Sequence, residues 1–318
     1  MGVKTVTALS SRAIIGKFFL MMEDAATMVW AEKIAHINET DQSSEEYVLS
    51  SMTPQMRRWI GGRDAKRLLT QTITLTNELF ETTVVGKVQD WQYDKTGQLN
   101  VRIGELVKRA RSHWNKLATE ALVAGTSTLC YDGQYFFDTD HSFGSSGTLK
   151  NLLTSSEVAS LDVTTTTAPT AAEMANAILS LISYFQNYLD DQGEPIHEGA
   201  AQFMVMVPAN MAGAAYQATT KAMLATGSTA VDNPLLGQQF NVSIQVNPRL
   251  TETTKIYCFR TDGPTKPLIL QQRGGLKISA KAEGSDFEHD NNEWEFGVAA
   301  ERTCGLFDWQ MAQKATFS

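Results

Sequence analysis

The chain has 318 residues, 42% hydrophobic and 19% charged, with a formal net charge of -8 at pH 7. It is long enough to bury a core and too apolar to be disordered. The acidic balance excludes a protein that grips nucleic acid, which needs clustered lysine and arginine, though not one that surrounds it. Cys130, Cys258 and Cys304 lie far apart without CxxC spacing and read as buried free thiols in a reducing compartment. No apolar run approaches the roughly 20 residues that span a bilayer, so no membrane partner is expected.

Residues 1–65 read as an N-terminal arm. Ile14, Ile15, Phe18, Phe19 and Met22 make one helical stripe. Lys17 breaks the apolar run and Glu23 and Asp24 close it without a small-residue cleavage site. An amphipathic helix is therefore expected, not a signal peptide, and it needs a partner surface. Residues 38–46 are polar and read as a loop. Farther on, Arg57, Arg58 and Arg63 crowd around Trp59. That cluster is either a charged contact with a neighbouring subunit or a solvated turn around one buried Trp.

Residues 71–93 look like a β-hairpin, because Ile73, Leu75 and Leu79 alternate with Thr72, Thr74 and Thr76 before a second extended run at 82–88. An isolated hairpin is marginally stable, so a neighbouring molecule or the rest of the chain must cover it. Residues 103–124 carry the strongest helix pattern: Ile103, Leu106, Val107, Ala110, Trp114, Leu117 and Ala121 follow i, i+3, i+4, i+7 spacing. Lys108, Arg109, Arg111, Asn115 and Glu120 take the other face, with His113 at the surface. Asp132-Gly133 between aromatics predicts a two-residue hairpin turn. A Thr-rich linker at 164–170 leads to Thr170-Ala-Ala-Glu173, a capping box opening a helix striped by Met174, Ile178, Leu181, Ile182, Phe185 and Leu189. Then come a strand at 203–207, a helix to about Thr219, and an exposed loop at 221–240. Strands are expected at 242–246, 256–259, 268–271, 276–280 and 294–301, with Leu306, Trp309 and Met311 packed beneath. Strands and helices do not alternate regularly, which reads as α+β.

No phosphate loop, GxSxG or HExxH is present. Asp138 and Asp140 with His141, near Asp132, offer three carboxylates and an imidazole to a divalent metal. The competing reading is that they satisfy backbone groups at a tight loop, and it is preferred. No catalytic, cofactor or metal residue is therefore assigned. The acidic stretch 286–294 lacks the Gly and Glu of a calcium loop and reads as a solvated loop between strands.

The run Leu129-Cys-Tyr-Asp-Gly-Gln-Tyr-Phe-Phe-Asp-Thr-Asp-His141 resembles the signature of Mu-like phage and prophage major head proteins, the T gene product family. Tyr131, Asp132, Gly133, Phe136, Phe137, Asp138, Asp140 and His141 carry that motif. Trp30-Ala-Glu-Lys-Ile-Ala35, Pro54 to Arg63, and Phe296 to Arg302 followed by Gly305 and Trp309 resemble other parts of the family in order and spacing. The resemblance implies a Hong Kong 97-like capsid fold. It places an N-terminal arm at 1–65, an extended hairpin arm at 66–100, a peripheral domain at 101–164 and 251–318 with a spine helix at 103–124, and an axial domain at 165–250. It implies hexamers and pentamers closing an icosahedral shell around double-stranded DNA. Portal, scaffold and decoration proteins are the further partners, and the virion capsid, assembled in the bacterial host cytoplasm, is the location. An encapsulin-like compartment and a metal-dependent hydrolase centred on Asp138, Asp140 and His141 stand as alternatives.

Overall fold

A computed structural model describes residues 12, 13, 15, 16, 20, 21, 29–50, 61, 70–92, 98–142, 144–226, 229–237 and 239–318. No described helix is long and apolar enough to cross a membrane. The first part of the chain supplies β1 (Ala35–Thr40), β2 (Ser44–Ser50), β3 (Thr70–Thr76) and β4 (Glu78–Lys87), then the short helix α1 (Val88–Gln92) and the spine helix α2 (Gln98–Ala124). At 1.5 Å per residue, α2 is about 40 Å long. Three two-residue strands follow, β5 (His141–Ser142), β6 (Thr148–Leu149) and β7 (Leu152–Leu153). Next are helix α3 (Ala171–Phe185), strand β8 (Gln202–Val207), helix α4 (Ala212–Thr220), and strands β9 (Met223–Thr226) and β10 (Thr229–Asp232). The last elements are β11 (Asn241–Val246), β12 (Lys255–Arg260), β13 (Leu268–Lys281), α5 (Asp286–Asn291), β14 (Glu293–Leu306) and β15 (Ala312–Thr316).

Two sheets organise these elements. A five-stranded sheet runs β11-β8-β12-β15-β7. Its central strands are apolar on both faces, as strands covered on both sides must be: Val205, Met206, Val207, Ile256, Cys258 and Phe259 are fully buried. The helix α3 packs there because its sequence leaves little choice. Thr170 accepts from the Glu173 amide while Glu173 reaches back to the Thr170 amide, the capping box expected. Met174, Ile178, Leu181, Ile182 and Phe185 are all 0% exposed. The helix stops at Phe185, so Leu189 lies beyond its end; Tyr188 fills the core instead.

The second sheet runs β1-β13-β14-β4 and lies under α2. Ile103, Leu106, Val107 and Ala110 of α2 form a separate, smaller core with Trp91, Trp294, Phe296 and Val298. Ile15 and Met21, both in helical backbone, pack against this core, whereas Ile14, Phe18, Phe19 and Met22 of the expected stripe lie outside the described residues. A polar chain links the two layers. The Ala31 amide donates to Asn115 Oδ1 at 3.3 Å, Thr119 donates to the Asn115 carbonyl at 2.7 Å, and Asn247 Nδ2 donates to Thr119 Oγ1 at 2.9 Å.

Several expectations are corrected. β3 and β4 do not pair with each other. β3 pairs antiparallel with β2, and β4 pairs antiparallel with β14. Asn77 is the single residue between them, too short for the reversal a hairpin requires. β3 is therefore completed by β2, and β14 of the same chain covers 78–87. Residues 38–46 hold the end of β1, a turn and the start of β2; β1 is recruited by parallel pairing with β13, a distant partner that outweighs local polarity. Residues 221–240 contain the antiparallel pair β9–β10. Residues 286–291 form a helix capped by Ser285 and closed by Asn292 at φ 49°. Asn115 is buried, and His113 packs edge-on to Phe80 at 4.4 Å. Only 268–306 of the C-terminal third joins the α2 sheet, since β12 and β15 pair within the five-stranded one.

Candidate functional site

The signature run 129–141 folds as a tight turn followed by a short extended return. The Cys130 amide donates to the Gln134 carbonyl at 2.7 Å, and the Gly133 amide to the Cys130 carbonyl at 3.1 Å. The loop has three residues rather than two, with Gly133 at φ 84° completing a type I turn. Only glycine takes that conformation without steric cost. Phe136 and Phe137 then enter the core at 0% and 1% exposure.

Two polar residues of the run, Asp132 and His141, are turned inward. His141 Nδ1 lies 2.5 Å from Asp132 Oδ2, and the two side chains are 0% and 3% exposed. The His141 ring stacks on Trp309 at 3.9 Å and 9°. Asp138 accepts from the amides of Tyr135 at 3.2 Å and Thr139 at 2.8 Å. The Asp138 amide donates to Asn151 Oδ1, and Asn151 Nδ2 donates to the carbonyls of Phe136 and Trp309. Asp140 is exposed, and residues 138–140 are not a strand. Asp132 and His141 thus come together, Asp138 serves the loop backbone, and Asp140 stands apart. Among the described residues no three His, Cys, Asp or Glu side chains converge to hold a metal. Chemically this is a staple fixing the C-terminal turn. Arg57, Arg58, Trp59 and Arg63 lie outside the described residues.

A second copy of this turn escaped the sequence reading. The Asp190 amide donates to the Glu194 carbonyl at 2.8 Å, the Gly193 amide donates to the Asp190 carbonyl at 3.0 Å, and Gly193 sits at φ 87°. The pairs Leu129–Tyr135 and Leu189–Pro195 close the two turns alike. Each leads to a buried histidine touching the same C-terminal turn. His197 Nε2 is 3.0 Å from the Gln310 carbonyl, and its Nδ1 accepts from Arg260 at 2.9 Å. Burial, with Arg260 beside it, pushes the His197 pKa down to about 3. The shared signal, Leu followed four residues later by Gly, is too short to find from sequence.

Two surfaces are open rather than closed. Leu79, Val85 and Val101 are 68%, 48% and 54% exposed on β4 and α2. Grooves of about 240 and 250 Å³ also flank α2 where it crosses Arg302. At the crossing of β3 over β14, Gly305 lies so close to Leu75 that a Cβ there has no room.

A spine helix on one sheet, an extended two-stranded arm and a second sheet with its own helices define a phage major capsid fold of the Hong Kong 97 type. The procapsid chain of bacteriophage JBD30 superposes with a TM-score of 0.54 at 21% identity, covering 98% of this chain and 77% of that one. The family described as Mu-like prophage major head subunit gpT matches residues 13–171, half of the sequence, and the chain belongs to that family. It is 33% identical over 112 residues to the Mu-like prophage FluMu major head subunit of Haemophilus influenzae, covering 35% of this chain and 36% of that protein. It is 28% identical over 120 residues to the major capsid protein of Escherichia phage Mu, covering 38% and 39%. The matched stretches thus span little more than a third of these relatives' length.

Proposed function

We propose that this chain is the major head subunit of a tailed phage or Mu-like prophage, a structural protein with no catalytic role. Copies assemble into hexamers and pentamers that close an icosahedral shell around double-stranded DNA. Portal, scaffold and decoration proteins complete the particle, which forms in the bacterial cytoplasm. The observation that carries this reading is the β2–β3 pair laid on the sheet at Gln271 and Gly305, beside apolar side chains of β4 and α2 that stay exposed. Each subunit contact is modest, and ring closure multiplies it. In this reading the arm's described strands are β2 and β3, the peripheral unit holds β4, α2, β13 and β14, and the axial unit holds α3, β8, α4, β11, β12 and β15. Arg57, Arg58, Trp59 and Arg63 fall in the arm's span and contact a neighbour. The acidic balance keeps the inner wall from holding the DNA it admits.

Negative-stain microscopy of the purified chain tests the proposal. Uniform hollow particles, tubes or rings are expected. A chain that remains a folded monomer when concentrated overturns it, and particles that hold a protein cargo instead of nucleic acid when recovered from host cells favour a compartment.

A further inference from the structure

The groove beside α2 carries a charge that the described part of the chain leaves unanswered. Arg302, on β14, is 3% exposed. Its Nη1 donates to the Ala110 carbonyl at 3.3 Å, and its guanidinium lies 4.8 Å from the Trp114 ring. Its Nε has no hydrogen-bond partner. Burial alone, with no acid contributing, lowers its pKa to about 10. A guanidinium in such a place is costly until a carboxylate or similar anion neutralises it.

The surroundings are built to admit one. The two grooves flanking α2 share Ala110, Leu276 and Arg302. Arg109, His113 and Lys116 line the first, where Glu81 is the sole acid. His113 Nδ1 is buried and also without a partner. The first groove thus holds three cations, Arg109, Lys116 and Arg302, against Glu81, and the second adds Arg111 with Glu32 and Glu39. Yet among the described residues no ion pair joins any of these acids to Arg302, whose depressed pKa has burial as its cause and no acid among its contributors. A chain of net charge -8 can supply such an acid from a second copy.

We propose that this groove receives a carboxylate-bearing segment of a second copy of this chain, with Arg302 taking the carboxylate and Arg109 and Lys116 flanking it. The inference rests on the shell reading, because it needs a second copy at hand. Arg302 then works as an assembly contact that is paired only between subunits, where a polar group left unpaired in the wrong arrangement gives specificity.

The test mixes copies labelled with light and heavy nitrogen, assembles them, and treats them with a carbodiimide. This reagent condenses an amine and a touching carboxylate into an amide while taking up the water lost. Lys116 is the reporter, and its own-chain neighbour Glu120, 3.8 Å away, is the internal control. Mixed-isotope peptides joining Lys116 to an acid are expected from particles and not from dissociated subunits. Arg302→Met should leave the melting midpoint of the free subunit unchanged or higher, and weaken assembly by about tenfold or more. Should that variant misfold, the exposed Arg109→Gln replaces it, with weaker assembly expected again. Same-isotope products alone in well-formed particles, or wild-type assembly by the folded Arg302 or Arg109 variant, overturn the inference and leave the shell reading standing. The same holds if crosslinks stay within one chain while inorganic phosphate raises the midpoint of wild-type subunits but not of Arg302→Met; the groove then binds a free anion. If the wild-type chain forms no particle at all, the shell reading fails and takes this inference with it.

Discussion

Around β8, β12 and α3 the chain buries what it should bury by itself. Around α2 and β4 it does so on one face only. In the first region Phe185, Phe259 and Ile178 are 0% exposed, and the buried Arg260 is met by Asp262 at 2.9 Å. In the second, Leu79 and Val101 face solvent, two grooves run beside the helix, and the buried Arg302 meets no acid. One region is finished within a single polypeptide and carries its stability. The other keeps exposed apolar side chains and a buried charge without an acid, which is where the proposed association would act.

The contrast is broken most directly by truncation in the finished core. Phe185→Ala should cost about 3–5 kcal/mol of subunit stability, measured by denaturant unfolding. A loss under about 1 kcal/mol would mean that this core is not the stabilising one. His141→Ala comes next, at about 3 kcal/mol, because it strands the Asp132 carboxylate at 3% side-chain exposure and removes the ring stacked on Trp309.

Acid supplies a third test. His197, held at a pKa of about 3 in the folded chain, takes up a proton first in the unfolded chain as pH falls below its ordinary 6.5. Its share of stability is therefore present above pH 6.5 and is lost between there and about 3, by up to about 1.4 kcal/mol per pH unit. Asp308, raised by burial to about 6, has the opposite sign: the folded chain binds its proton first, which favours folding as pH drops from 6 towards 3.8. Comparing wild type with His197→Gln across this range cancels the Asp308 contribution. The stability gap between them should narrow as pH falls, and a constant gap would refute the assignment. The smallest expected effect on the subunit itself is from Leu79→Ser, within about 0.5 kcal/mol because the side chain is already in water. Its effect should appear in assembly yield. Equal yield from the variant would show that the open face of β4 is not used.

Local periodicity made some of this legible in advance. The helical stripe of α2 and the Thr170–Glu173 capping box announced their helices because both signals lie within a few turns of chain. The buried staple at 129–141 was half legible. Gly133 marked the turn, but nothing local says that Trp309 stacks on His141, far along the sequence. Pairing across long distances was illegible for the same reason. β3 and β4 both read as strands, yet their partners β2 and β14 are chosen by sheet register. Polar residues 38–40 join β1 only because β13 offers a parallel edge. Arg302 entered only as the end of the Phe296–Arg302 resemblance; its isolation arises from α2 lying across it, which no spacing in β14 encodes.

The junction at Asn77 has a mechanical consequence. Its amide donates to the Ser43 carbonyl at 2.9 Å and its Nδ2 to the Gln42 carbonyl at 3.2 Å, so the joint is clamped from both ends of its backbone and side chain. With one residue between β3 and β4 there is no slack to absorb a pull. Tension applied to the far end of β3 is delivered straight into β4, whose ten residues are all laddered to β14, and is shared there as shear along the strand rather than as peeling at one bond.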